Sequence, residues 1–144
     1  VASGLIAESK LAPELANEAH YYRAKALLAE GQNKEAAGDL AVLAKDTRNV
    51  YGAEAKYLLA QLYFDNGETG KAEKEVLDYI EVSTPHAYWL ARSFVLLSDV
   101  YMKLGRNLDA KQYLLSLQQN YQADDDIAEM IETRLAKLNK GSKQ

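Results

Sequence analysis

The side chains best suited to chemistry are few in this chain, and their spacing brings no set of metal ligands together. His20 and His86 are the only histidines, whereas a metal site needs three or four convergent ligands. The three aspartates at 124–126 lack the alternating ligands, the glycine and the distal glutamate of a calcium loop. Negative charge at a helix N-terminus explains them more simply. The sequence therefore predicts no metal and no cofactor.

Catalytic groups are also scarce. The chain has no cysteine, and no serine stands at a strand–turn–helix elbow that would expose a nucleophile. The segment from Gly67 to Lys71 contains glycines and a lysine but lacks the spacing of a phosphate-binding loop. Glu54, Asp65 and Asp99 could share one face, either as solvated charges or as an acid–base pair. We predict that the protein is not an enzyme; a closed polar pocket between Glu54 and Asp99 would favour the alternative.

The composition favours a soluble, helix-rich globular domain. Apolar residues make up 48% and charged residues 26% of the 144 residues, with two prolines and eight glycines. A net charge of −4 without a basic tract argues against a nucleic-acid partner. No apolar run approaches the roughly 18 residues that cross a bilayer, so we predict no direct membrane insertion. Val1 stands where an initiator Met would, and we interpret the chain as the C-terminal fragment of a larger protein.

Three glycines divide the chain into helical pairs. They lie 36 positions apart (31 to 67) and then 38 positions apart (67 to 105). Self-similarity at such a period is typical of a stacked repeat array. Each glycine follows a helical pattern and can adopt the left-handed conformation that ends a helix. An alanine stands five positions after each glycine: Gly31 with Ala36, Gly67 with Ala72, and Gly105 with Ala110.

The first helix is predicted from its periodicity. Pro13 suits the first turn of a helix that continues to Glu30, because proline lacks only an N–H that would have no partner there. Residues 1–10 are either a disordered end or the last helix of a preceding repeat. The apolar residues at helical spacing in the predicted helix are Leu15, Ala19, Tyr22, Ala26 and Ala29.

Later helix starts are predicted from capping residues. Asn33 and Thr69 are placed to cap the helices that follow the first two glycines. Thr84 is predicted as an N-cap before Pro85 at the first helical position. Asp126, with a glutamate three positions on, resembles a capping box at the start of a seventh helix.

The repeated residues resemble those of the tetratricopeptide repeat family. That family has a small residue midway along the first helix, an aromatic three positions later, then a glycine, an alanine and a large apolar residue. His20 and Lys56 depart from it, because the family has a large aromatic there, as at Phe94. The matching sets are Ala24, Leu27, Gly31, Ala36 and Leu40; Ala60, Tyr63, Gly67, Ala72 and Val76; and Ser98, Tyr101, Gly105, Ala110 and Leu114.

The resemblance implies an all-α, right-handed superhelical array of three helix–turn–helix repeats and a C-terminal capping helix. One domain would span residues 1–144, with a helix remnant at 1–10, repeats at 13–48, 50–84 and 85–122, and the capping helix at 126–140. Small side chains would let the paired helices approach closely at Ala24, Ala36, Ala60, Ala72, Ser98 and Ala110. The long units with tyrosine-rich first helices resemble a branch found in bacterial envelope proteins. That likeness favours the periplasm or cell envelope over the cytoplasm.

Peptide-binding members of the family use the concave surface lined by the first helix of each repeat. The resemblance therefore implies a non-catalytic scaffold that binds a protein or peptide. The alternative is a structural solenoid segment that mediates self-association or assembly of a larger protein, for which a homo-oligomer is expected. The family's groove positions correspond here to Tyr21, Lys25, Glu54, Tyr57, Gln61, Phe64, Arg92, Asp99 and Met102.

Overall fold

The computed structural model consists of α-helices joined by short turns. It describes the backbone of residues 2–82 and 84–142 and the side chains of residues 15–82 and 84–140. No strand occurs in these ranges, so the prediction of an all-α protein is confirmed. The helices are α1 (Ala2–Ala29), α2 (Asn33–Leu43), α3 (Val50–Asp65), α4 (Thr69–Val82), α5 (Ala87–Lys103), α6 (Asn107–Asn120) and α7 (Ile127–Ser142).

The three glycine turns have the same backbone geometry. Gly31, Gly67 and Gly105 have φ of 78°, 82° and 79°, as predicted for the left-handed end of a helix. At the first turn, Gly31 N–H donates to the Leu28 carbonyl (3.1 Å) and Gln32 N–H to the Leu27 carbonyl (2.8 Å). The same pair of bonds recurs at the other two turns. The three helices that precede these glycines, α1, α3 and α5, thus each end in a Schellman motif.

The spacing from glycine to alanine follows from this turn. The residue after the glycine ends one helix and starts the next, because its carbonyl accepts the first hydrogen bond of the following helix. Ala36 N–H donates to Gln32 O (3.1 Å), Ala72 N–H to Glu68 O (3.0 Å) and Ala110 N–H to Arg106 O (3.1 Å). The alanine is therefore the first residue whose N–H is bonded within the new helix.

The helices pack in a regular order. Each helix contacts the next one along the chain, and the odd-numbered helices also contact one another: α1 with α3, α3 with α5, and α5 with α7. Within residues 2–82 and 84–142, α2 and α4 do not touch, nor do α4 and α6. The six small residues predicted at the helix crossings are all buried, since Ala24, Ala36, Ala60, Ala72, Ser98 and Ala110 are at most 1% exposed.

His20, Lys56 and Phe94 hold equivalent positions in the three helical pairs, and each contacts the second helix of its pair. His20 Nδ1 lies 2.9 Å from Asp39 Oδ1 between α1 and α2, and Lys56 Nζ lies 2.8 Å from Glu75 Oε2 between α3 and α4. In the third pair the equivalent contact is aromatic, with the rings of Phe94 and Tyr113 6.1 Å apart. A polar pair thus replaces an aromatic pair at the same place in two of the three units.

Several predicted helix starts differ from the structure. α1 runs through Pro13 without a new start, and residues 1–10 as a repeat remnant stay a prediction. Gln32, not Asn33, precedes α2, and its side chain makes no capping bond. Pro85 lies outside α5, which begins at Ala87. The Thr84 hydroxyl donates to the Thr47 carbonyl (2.6 Å) and accepts from His86 N–H (3.1 Å). α4 likewise begins at Thr69 itself, so this threonine is the first helical residue and not the cap.

Candidate protein-binding face

The nine predicted binding residues all lie on odd-numbered helices. Tyr21 and Lys25 are on α1, Glu54 to Phe64 on α3, and Arg92 to Met102 on α5. We refer to the surface of α1, α3, α5 and α7 that carries them as the odd-helix face. Polar contacts between neighbouring odd-numbered helices run along this face.

Glu54 joins α3 to α1. The Tyr21 hydroxyl donates to Glu54 Oε1 at 3.0 Å, and Lys25 Nζ lies 3.1 Å from Glu54 Oε2. Lys25 also lies 5.7 Å from the centre of the Tyr21 ring. Burial, together with the hydrogen bond to the Glu54 carboxylate, raises the pKa of Tyr21 to about 12. The tyrosine is therefore a neutral donor at physiological pH, and the carboxylate is held by two groups of the preceding odd-numbered helix.

Arg92 makes the equivalent connection from α5 to α3. Its Nη2 donates to the Tyr57 hydroxyl (3.0 Å) and its Nη1 to the Tyr88 hydroxyl (2.9 Å). The guanidinium carbon lies 4.9 Å from the centre of the Tyr57 ring, within reach of a cation–π interaction. Tyr57 is only 6% exposed, and its hydroxyl donates to Gln61 Oε1 (3.1 Å). Tyr57 thus holds Arg92 and Gln61 in place and offers little surface of its own.

The start of α7 joins this cluster through Asp126. Its Oδ1 accepts from the Tyr88 hydroxyl (2.9 Å), and its Oδ2 lies 3.8 Å from Arg92 Nη1. The capping box predicted for Asp126 is wrong in this respect, because its carboxylate faces α5. Asp125 makes the side-chain bond to the helix start instead, accepting from Ile127 N–H at 3.0 Å.

Asp99 is tied to α7 by a bidentate ion pair. Arg134 Nε lies 2.7 Å from Asp99 Oδ1, and its Nη2 lies 2.9 Å from Oδ2. A third bond runs from Arg134 Nη1 to the Met130 carbonyl (3.2 Å). Both charged side chains are 26% exposed. The fork geometry of the guanidinium and its bond to the backbone hold this pair in one orientation.

An open groove lies beside this ion pair and is lined by residues of α3, α5 and α7. The partly buried side chains of Phe64 and Met102 form its apolar part, and its volume is 570 Å³. Within the described residues, no carboxylate lies within 4.0 Å of the ammonium groups of Lys103 or Lys137. The residues that line this groove, called here the α3–α5–α7 groove, are Phe64, Asp99, Met102, Lys103, Thr133, Arg134 and Lys137.

The prediction from sequence missed the contribution of α7. Arg134 follows Met130 by four positions and precedes Leu138 by four, so all three occupy one side of the helix. Ile127, Ile131 and Leu138 are buried, which orients that side toward the third helical pair. Helical periodicity in the sequence shows which side of α7 carries Arg134, but it does not show that Arg134 pairs with Asp99.

Glu54 and Asp99 pair with cations of different helices, Lys25 on α1 and Arg134 on α7. A small cavity of 140 Å³ contains Asp99 and Arg134, but Glu54 does not line it. Among the described side chains, at residues 15–82 and 84–140, no three acidic or histidine residues are grouped so as to hold a metal ion. In the same ranges, none of the helices combines the length and apolar character needed to cross a bilayer.

No protein-family model matches the chain, and no curated protein matches it significantly. The likeness to tetratricopeptide repeats therefore depends on the residues and contacts described above.

Proposed function

We propose that this protein is a non-catalytic scaffold that binds a protein or peptide on a concave face formed by its odd-numbered helices. One observation carries the proposal. The α3–α5–α7 groove combines two partly buried apolar side chains, Phe64 and Met102, with the ammonium groups of Lys103 and Lys137. A groove with an apolar floor and a few charged groups at its rim is the usual form of a recognition site.

We further propose that the helices form a right-handed superhelix of the tetratricopeptide type. The identical glycine turns, the buried small residues and the contacts among odd-numbered helices all support this arrangement. In such an array the odd-numbered helices line the inner wall and the even-numbered helices the outer wall. The partner would lie against the inner wall.

The groove indicates the chemistry of the partner. A bulky apolar side chain inserted between Phe64 and Met102 would contribute about 1.5–3 kcal/mol through burial. Carboxylates on the same segment would approach Lys103 and Lys137, although exposed ion pairs of this kind contribute only about 0–1 kcal/mol each. We therefore expect an acidic segment with one apolar anchor, in which the anchor supplies affinity and the charges select the partner.

Selection of random peptides displayed on phage, with the purified protein as target, tests this proposal. The enriched peptides should place a bulky apolar residue next to Asp or Glu. The variants Phe64→Ala and Met102→Ala should each weaken binding of these peptides by more than about 1 kcal/mol, which is more than about fivefold. Leu108→Ala is the matched control, because Leu108 is 70% exposed on α6, away from the groove. Unchanged affinity in a folded double variant of Phe64 and Met102 would refute the groove as the binding site.

Charge reversal tests the rim separately. Lys103→Glu and Lys137→Glu should mainly slow association of acidic peptides, with an effect that fades at high salt. Lys74→Glu, an exposed site on α4, is the control and should leave the association rate unchanged. Equal rates for the rim variants and the control would contradict a role for these lysines.

The two competing functions predict different results. An enzyme would need Glu54 and Asp99 in one pocket, whereas each carboxylate is held by cations of a different neighbouring helix. Self-association through the odd-helix face would give a dimer that dissociates in the Phe64 and Met102 variants, which sedimentation velocity would detect.

On the resemblance to bacterial envelope proteins, we propose a periplasmic or envelope location, which fractionation of producing cells would test.

A further inference from the structure

α1 presents an apolar stripe that is exposed within the part of the chain whose side chains the structure describes. Leu15 and Tyr22 are 61% and 59% exposed, and Ala19 and Ala26 between and beyond them are also exposed. These four positions follow the helical repeat and lie on one side of α1. The sequence identifies the stripe as an apolar helix face, yet within the described residues the buried side of α1 is centred on Ala24 instead.

The same four positions recur in α3 and α5. Because the units are offset by 36 and then 38 residues, each α1 position has one counterpart in each later odd-numbered helix. In each helix the first and third positions are bulky and the second is small. The fourth position is a bulky apolar residue in α3 and α5 and an alanine, Ala26, in α1. The sets are Leu15, Tyr51 and Trp89; Ala19, Ala55 and Ser93; Tyr22, Leu58 and Leu96; and Ala26, Leu62 and Val100.

In α3 and α5 these positions are covered by the preceding helical pair. Ala55 is fully buried in the cluster that contains Ala24 of α1 and Leu40 and Leu43 of α2. In α5, Ser93 and Val100 are fully buried and Leu96 is 1% exposed, where α5 packs on α3 and α4. The equivalent surface is thus covered by a two-helix unit on α3, where the unit is α1–α2, and on α5, where it is α3–α4.

The opposite side of the array is covered. α7 packs on α5 and α6, and its apolar residues Ile127, Ile131 and Leu138 are buried. Glu129 and Glu132 are exposed on its outer side. A second copy of the chain therefore has no uncovered pair of helices at that side to present to α1.

We infer that the α1 stripe of Leu15, Ala19, Tyr22 and Ala26 is a docking surface for a helical hairpin of the same build as the α1–α2 pair. Such a hairpin presents a small residue equivalent to Ala24 from its first helix and leucines equivalent to Leu40 and Leu43 from its second. The docking would repeat the α1–α2 to α3 interface one unit earlier. This surface is separate from the α3–α5–α7 groove and does not depend on the proposed peptide binding.

A tandem variant of the full chain tests the inference. A second copy of residues 14–49 is inserted between residues 13 and 14, so that Asn49, the residue that caps α3, also precedes the original α1. The inserted hairpin should dock on the original stripe and raise the thermal midpoint, since stability in repeat arrays grows with each interface. Amide hydrogen exchange in the original α1 should slow at least about tenfold, because local opening then requires breaking the new interface.

Tyr22→Arg isolates the stripe. In the native chain this exposed substitution should shift the midpoint by less than about 2 °C, because exposed substitutions are usually within about 0.5 kcal/mol. In the original copy of the tandem chain, Tyr22→Arg should cancel most of the rise in thermal midpoint, because the substitution would place an unpaired charge in an apolar interface. Leu108→Arg, at an exposed site on α6, is the control and should shift the thermal midpoint by the same amount in the native and the tandem chain.

Three results would overturn the inference. One is a folded tandem chain in which Tyr22→Arg is as neutral as in the native chain. Another is a native chain that dimerises and becomes monomeric on Tyr22→Arg, which would make a second copy the occupant. If the tandem chain does not fold, a peptide of residues 14–49 is titrated against the native chain. Binding that Tyr22→Arg abolishes supports the inference, and no binding overturns it.

Discussion

Gly52 offers the sharpest test of how closely the helical pairs approach. It lies in the first turn of α3, and a Cβ added there would meet the carbonyl oxygen of Asp46 at 1.8 Å and that of Leu43 at 2.6 Å. Real Cβ atoms do not approach other atoms so closely, and both neighbours are backbone atoms that cannot rotate away. Both carbonyls accept hydrogen bonds in the turn, from Asn49 N–H (3.3 Å) and Asp46 N–H (3.2 Å). Gly52→Ala must therefore push α3 away from the end of α2.

The magnitude follows from two opposing effects. Alanine in place of glycine favours a helix by about 1 kcal/mol, whereas overpacking typically costs about 1–3 kcal/mol and occasionally more. A backbone contact at 1.8 Å places this site at or beyond the upper end of that range. We expect a net loss of about 2 kcal/mol or more in the free energy of unfolding. At about 4 °C per kcal/mol for a domain of this size, the thermal midpoint should fall by about 8 °C.

Gly38→Ala is the matched control. Gly38 lies inside α2, is exposed, and has nothing within 4 Å of an added Cβ. This variant should gain about 0.5–1 kcal/mol, raising the midpoint by about 2–4 °C. Thermal and urea unfolding followed by far-UV circular dichroism measure both variants. Equal stability of the two variants would refute the close approach of α2 and α3 at Gly52.

Two further predictions concern the interior. Ala72→Leu should cost about 1–3 kcal/mol by overpacking a fully buried site, whereas Ala41→Leu at an exposed site should stay within about 0.5 kcal/mol; urea unfolding compares them. The hydrogen bond from Arg23, which outweighs burial, and a further bond to His20 hold the pKa of Asp39 below its usual value. Its contribution to stability should therefore be complete above the unfolded-state pKa of about 4 and be lost as pH falls through the lower folded-state pKa. The stability difference between wild type and Asp39→Asn, measured by urea unfolding, should shrink in acid.

Local sequence predicted the features whose causes are local. The turn at Gly31 needs a left-handed residue at one position, and glycine adopts that conformation without steric cost. The interval from each glycine to its alanine follows from the shared residue between two helices. Burial of the six small residues could also be predicted, because a period of 36–38 residues indicates paired helices and small side chains mark where they cross.

Predictions of the cap residues were less successful. Asp126 could cap α7, yet its carboxylate accepts from Tyr88 on α5, and the capping bond goes to Asp125. The Thr84 hydroxyl accepts from His86 N–H, two residues on, and donates to the carbonyl of Thr47, 37 positions away in the chain, but α5 begins only at Ala87. Nothing near Thr84 or Asp126 in the sequence indicates these distant partners.

On the candidate face, the sequence determined which residues share the odd-numbered helices, since helical periodicity places them there. Only the tertiary structure decided which of them are available to a partner. Tyr57 is nearly buried under Arg92, and Asp99 is occupied by Arg134, whereas Phe64 and Met102 remain beside an open groove. The same holds for α1, because periodicity reveals an apolar stripe but exposure depends on which helix packs against it. The pattern of apolar residues is set within one helix, whereas the exposure of those residues to a partner depends on which other helices pack against them.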